Sequence, residues 1–155
     1  MPRFEVDTLI HAPVELVFDT SLSVETHTAS MRASRERAVA GVTSGRLALG
    51  DQVTWQARHF GLPWRLTSTI SAYVRPSFFV DEQVAGPFRR WHHEHHFQAS
   101  AQGTVMRDVI DFAAPYGPLG AFAERLVLRR YMTRLIRLRN QHIKDLTETA
   151  ARNTG

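Results

Sequence analysis

The chain has 155 residues, 43% of them hydrophobic and 22% charged, which suits one domain with a core that needs no staples. It has no cysteine, which excludes a disulfide scaffold, a thiolate zinc site, an iron–sulfur cluster and a cysteine nucleophile. Its net charge of +4 is modest, and no apolar run approaches the ~18 residues of a membrane-spanning helix.

Phe4, Val6, Thr8 and Ile10 alternate with Glu5, Asp7 and Leu9, and that period of two predicts a strand. The opening residues lack the apolar stretch of a signal peptide, so a cytoplasmic location is expected. Pro13 suits the first turn of a helix. Val14, Val17 and Phe18 follow at helical spacing and predict a helix over 13–20, with a second over 23–31. A weak strand is expected at 35–39. Val53, Trp55, Ala57 and His59 then alternate with Thr54, Gln56 and Arg58, and Gly61-Leu62-Pro63 reads as a turn. Further strands are predicted over 66–72, 78–84, 88–99 and 104–114, separated by Arg75-Pro76, Gly86-Pro87 and Gly103. Short connections between such runs argue for an antiparallel meander.

After Pro115-Tyr116-Gly117-Pro118 the period changes. Leu128, Met132, Leu135, Ile136, Ile143 and Leu146 gather on one side of a helical wheel, opposite Arg130, Arg134, Arg137, Gln141, Lys144 and Glu148. This predicts an amphipathic helix over 118–149, ~45 Å long at 1.5 Å per residue, with 150–155 as a frayed tail. The expected architecture is one α+β domain over 1–149: a seven-stranded curved antiparallel sheet around a long C-terminal helix, with two short helices after the first strand. Such a sheet rarely closes fully on one helix, so a cavity between them is expected.

Particular residues carry a resemblance over about 3–147 of the chain. They are Ala12-Pro13-Val14-Glu15 with Val17-Phe18-Asp19, Gly50-Asp51 with Val53-Thr54-Trp55, and His59-Phe60-Gly61. Asp81-Glu82-Gln83 follows, with Gly86-Pro87-Phe88, Trp91 and His93-Glu94-His95. Gly103-Thr104-Val105-Met106 with Asp108, and Pro115-Tyr116-Gly117-Pro118-Leu119-Gly120, complete the set. On these motifs the chain resembles the START-like (SRPBCC, helix-grip) superfamily, in its bacterial polyketide cyclase/dehydrase-like ligand-binding branch. The resemblance implies the helix-grip fold. It is less specific for activity, because the superfamily holds lipid carriers, hormone binders and aromatic cyclases alike.

The most unusual stretch is Trp91-His92-His93-Glu94-His95-His96-Phe97. On a strand, Trp91, His93, His95 and Phe97 share one face and His92, Glu94 and His96 the other. The aromatic face is the expected inner one. Pairing through the flanking turns sets Asp108 across from His93 and Asp81 across from Trp91. Three readings stand for this cluster: an acid–base or ligand-anchoring pair, a divalent metal site, and a polar lattice of mutually satisfied groups. A metal is set aside because the sequence locates no third ligand for the His-x-His pair, and no cofactor is expected.

His59 either reaches the cavity mouth or caps the turn at Gly61, and His27 either faces the opening or the surface. Trp55, Phe79, Trp91, Phe97, Phe112, Met132 and Leu135 are core candidates that can also line a pocket. Arg125, Arg129 and Arg139 fall on or beside the apolar side of the long helix. Each would pair with an acid such as Asp108 or Asp81 or snorkel to solvent, and an inward Arg139 would alternatively anchor an acidic headgroup. The basic stripe of Arg130, Arg134, Arg137 and Lys144 has no aromatic platform beside it, so it reads as a solvated face rather than a nucleic-acid interface.

The expected function is binding of a small hydrophobic or amphipathic molecule, with His93, His95, Asp81, Gln83 and Asp108 orienting its polar end. The rival is a cyclase/dehydratase-type enzyme in which His93 and Asp108 are catalytic and move a proton beside a carbonyl. A third reading is a protein-interaction domain with a filled cavity. Neither nucleic acid nor an integral membrane is an expected partner.

Overall fold

The computed structural model describes residues 3–114, 117–118, 122 and 127–155. Strand β1 (Arg3–Ile10) leads through Pro13 into helices α1 (Val14–Ser21) and α2 (Val24–Ser30) and a short 3-10 turn. Strands β2 (Arg37–Gly41), β3 (Gln52–His59), β4 (Leu62–Val74), β5 (Phe78–Ala85), β6 (Arg90–Ser100) and β7 (Gly103–Ala113) follow, and helix α3 (Arg129–Asn153) ends the fold. All seven strands form one antiparallel sheet in the order β1-β7-β6-β5-β4-β3-β2. This is the helix-grip arrangement: a meander closed by its first strand, with α3 packed on β1, α1 and α2.

Several boundaries differ from the sequence expectation. Strand β2 lies two residues later than expected. Leu62-Pro63 belongs to β4 rather than to a turn, because β5 pairs no further along β4 than Thr67 and leaves Pro63 with a single neighbouring strand. Helix α3 runs to Asn153, so residues 150–153 are helical rather than frayed; Ala150, Ala151 and Arg152 are strong helix formers. Arg125 and the motif residues Pro115, Tyr116, Leu119 and Gly120 lie outside the described residues.

The stripe α3 buries is more polar than expected. Its buried residues are Ile136, Arg139, Asn140, Ile143 and Thr147, while Leu146 is largely exposed. Lys144 leaves the basic stripe and donates to the Leu9 carbonyl at 2.6 Å, tying α3 to β1.

Phe18 of α1 plugs one end of the concave face, with its ring 5.2–5.6 Å from those of Tyr73, Phe79 and Phe97 in edge-on contact. A second apolar cluster joins Phe4, Val6, Ile110, Phe112 and Ile136, and a third joins Val24, Val53 and Trp55.

The hairpin between β6 and β7 sets the register of the site. Its turn is only Ala101-Gln102, with Ser100 opposite Gly103. Gly103 has φ +132°, and a Cβ there would collide with the Ile10 carbonyl. His95 therefore faces Asp108, and His93 faces Ile110. On the other side His93 faces Asp81. Both pairings differ by two residues from those expected. A shift of two keeps every side chain on its face, so the same groups still meet.

Candidate functional site

Between the sheet and α3 lies a cavity of about 200 Å³. Trp55, Ala57, Leu66 and Ile70 form its sheet wall, and Met132, Leu135 and Ile136 form its helix wall. His27, Glu36, His59, Phe60 and Tyr131 stand toward the α2 end, where Phe60 is exposed and marks the mouth. At the buried end the lining becomes polar: Asp81, His93, His95 and Arg139.

This polar end is built by alternation on β6. His93 and His95 point inward at 3% and 1% exposure, with ring centroids 3.7 Å apart, and Phe79 stacks on His95 at 4.1 Å. Two carboxylates flank the rings. Asp108, fully buried on β7, accepts from His93 Nε2 at 2.8 Å and lies 3.0 Å from His95 Nδ1. Asp81 on β5 lies 2.9 Å from His95 Nε2 and 3.6 Å from His93 Nδ1 through Oδ2, and its Oδ1 accepts from the Trp91 indole at 3.3 Å.

Helix α3 seals the base. Asn140 Nδ2 donates to Asp108 Oδ2 at 2.6 Å and to Thr8 at 3.2 Å. Arg139, 5% exposed, sits 3.6 Å from Asp108 and donates to Asn140 Oδ1 and to the Ser21 carbonyl. It does not snorkel; a guanidinium this deep needs its acid. Burial pushes the Asp108 carboxyl up, but His93 and His95 outweigh it and hold the group well below the usual carboxylate range. The same balance, led by His95, keeps Asp81 ionised. Burial and the neighbouring His95 push the His93 imidazole down to about 4, against the pull of both acids.

The histidines left open by the sequence both turn to the cavity mouth. The His59 ring contacts the Tyr131 hydroxyl at 2.7 Å, while its carbonyl accepts from Trp64. Burial lowers its pKa, with Glu36 opposing. His27 lies over Trp55 with ring centroids 4.2 Å apart and bonds Glu36 at 2.7 Å.

Of the ligand-binding candidates, Trp55, His59, Phe79, Asp81, Trp91, His93, His95, Met132, Leu135 and Arg139 line the cavity. Four do not. Gln83 clasps the β5–β6 loop through both hydrogen-bonding groups of Phe88, at 2.7 and 3.2 Å. Phe97 and Phe112 belong to the solid core beside it. Asp108 stands behind the histidines rather than in the wall. Asn140 escaped the sequence reading, although it sits four residues from Ile136 and three from Ile143, on the buried stripe. A polar residue at that spacing is the signal.

The outer face of β6 carries a separate lattice in which His92 bonds Glu82 at 2.6 Å and His96 bonds Glu94 at 2.9 Å.

Residues 1–148 match the family described as polyketide cyclase / dehydrase and lipid transport. A comparison with curated protein sequences finds no match. Among solved structures, the chain is similar to TTHA0849 from Thermus thermophilus, with a TM-score of 0.79 and 16% identity over 97% of this chain and 99% of that one. A protein of unknown function from Staphylococcus aureus, SA2116, aligns at 0.74 and 11% over 97% and 96%. Major latex-like protein 151 from Panax ginseng aligns at 0.65 and 12% over 94% and 97%. At these identities the structural likeness shows the shared fold. Among the described residues no helix is long and apolar enough to cross a membrane. With its sequence match and its helix-grip topology, the chain belongs to the polyketide cyclase / dehydrase and lipid transport family, a START-like (SRPBCC) group.

Proposed function

We propose that the protein binds a small hydrophobic or amphipathic molecule between the sheet and α3. One observation carries this reading: an apolar cavity that ends in a polar cluster of half-buried Asp81 with buried His93, His95 and Arg139. Apolar walls supply affinity in proportion to the area they cover, and a few convergent polar groups fix orientation. A volume of about 200 Å³ lies below the ~300–1,000 Å³ of drug-sized pockets. It suits a short chain or a single ring, or the end of a longer molecule that trails through the mouth past Phe60. The test is titration with an apolar fluorescent probe. Wild type should bind saturably, and Ala57→Phe and Ser68→Leu, which fill the wall from buried positions, should weaken uptake at least about tenfold with an unchanged circular dichroism spectrum. Absence of saturable binding by wild type, or wild-type uptake by both plugged variants, overturns the reading.

A second reading, of the cyclase/dehydratase type, is favoured by the His93–Asp108 pair, because His93 faces the cavity and its far nitrogen is held by a sealed carboxylate. It requires turnover of a carbonyl substrate that is lost in Asp108→Asn with ligand uptake retained. The interaction reading required a filled cavity and gains nothing from this geometry.

A further inference from the structure

We propose that Asp81, His93 and His95 form a site for one divalent first-row transition-metal ion, held by Asp81 Oδ2, His93 Nδ1 and His95 Nε2 and approached from the cavity. The sequence offered a His-x-His pair without a third ligand, and the β5–β6 register supplies it. One ligand atom from each of the three residues lies within 4.8 Å of the others. Asp81 Oδ2 is 2.9 Å from His95 Nε2 and 3.6 Å from His93 Nδ1. Ligand atoms bound at about 2.0–2.2 Å from a common ion are separated by roughly 3–3.5 Å, so small ring rotations bring them into place.

The nitrogens on the far side of the two rings make the stronger argument. His93 Nε2 and His95 Nδ1 both meet one carboxylate oxygen, Asp108 Oδ1, at 2.8 and 3.0 Å. Metal-bound histidines characteristically give their second nitrogen to a carboxylate, which fixes the tautomer and raises the basicity of the ligating nitrogen. Here one carboxylate bonds His93 and stands 3.0 Å from His95 Nδ1, which has no hydrogen-bond partner, and Asn140 fixes that carboxylate in turn.

Proton counting leads to the same place. The four ring nitrogens all lie within 4 Å of a carboxylate oxygen, but only two of these contacts are hydrogen bonds. The two that bond are His93 Nε2 to Asp108 and His95 Nε2 to Asp81, which leaves His95 Nδ1 buried without a hydrogen-bond partner. An ion taken by His95 Nε2 would move the ring proton to Nδ1, 3.0 Å from Asp108 Oδ1. The metal reading stands apart from the ligand reading, since an ion can bind with the apolar wall empty. Three protein ligands leave at least one position open toward the cavity, where an oxygen donor such as a carboxylate or a dicarbonyl would bind.

The experiment is a Co²⁺ titration of the metal-stripped full-length protein, read by visible absorption and followed by displacement with Zn²⁺. The expected result is one equivalent bound, affinity reduced at least about tenfold in Asp81→Asn, and unchanged affinity in the outer-face variant His92→Gln/His96→Gln. Ring nitrogen NMR of wild type gives an answer even if Asp81→Asn does not fold. Zn²⁺ should move the His93 and His95 signals and leave those of His92 and His96 in place. No stoichiometric binding, binding that survives Asp81→Asn but not the outer-face change, or movement of His92 and His96 alone overturns the proposal.

Discussion

Replacing Arg139 by Met tests whether a buried charge holds the base of the cavity together. Met keeps most of the length of the side chain and its packing but removes the guanidinium 3.6 Å from Asp108. At an effective dielectric of about 20, unit charges that far apart attract by roughly 4–5 kcal/mol. Breaking a buried pair by removing one partner costs about 3–5 kcal/mol. Asp108 retains its bonds to His93 and Asn140, so the lower end applies, about 3 kcal/mol. In a domain of this size that lowers Tm by roughly 6–12 °C. Asp108→Asn removes the stranded charge, so the double variant should be more stable than the sum of the single losses by about 1.5 kcal/mol or more. Urea unfolding of the four proteins measures this coupling. Additivity within about 0.5 kcal/mol would refute the pairing.

Two further outcomes follow from the packing and the surface charges. Phe18→Ala opens a void among Tyr73, Phe79 and Phe97 and should cost about 3–5 kcal/mol in urea unfolding; a loss below about 1 kcal/mol would show that the α1 end of the core is loosely packed. Arg75 and Arg46 hold Asp19 at 2.9 and 2.7 Å, and the hydrogen bond from Arg75, opposed by burial, lowers its carboxyl pKa. A lowered native pKa contributes stability above the unfolded value that is lost as pH falls through the native one. Asp19→Asn should therefore cost at most about 1 kcal/mol near neutrality and flatten the loss of stability between about pH 5 and pH 3. An equal slope in both proteins would contradict the assignment.

The inner face of β6 was legible because strand alternation has a period of two: once Trp91 and Phe97 face inward, His93 and His95 must do so too. Pairing across the turns was not, since the sequence does not say that the β6–β7 turn is only Ala101-Gln102. The resulting error of two residues exchanged partners without exchanging faces. Arg139 was ambiguous because a long side chain beside an apolar stripe packs its stem equally well whether the head turns in or out. What decides is Asp108, more than thirty positions away in the chain. Asn140 has the same origin: its reason for burial lies on β7, and helix periodicity marks the position but not the partner. Gln83 read as a pocket residue because its bond is to backbone, and no side-chain pattern encodes that.

The cavity and its occupant are tested most directly by native mass spectrometry of the freshly purified protein, before and after incubation with a graded series of short fatty acids and aromatic carboxylates. One bound molecule per chain is expected, lost on denaturation and lost from Ala57→Phe. A bare mass throughout the series, or equal retention by the plugged variant, would contradict the ligand reading.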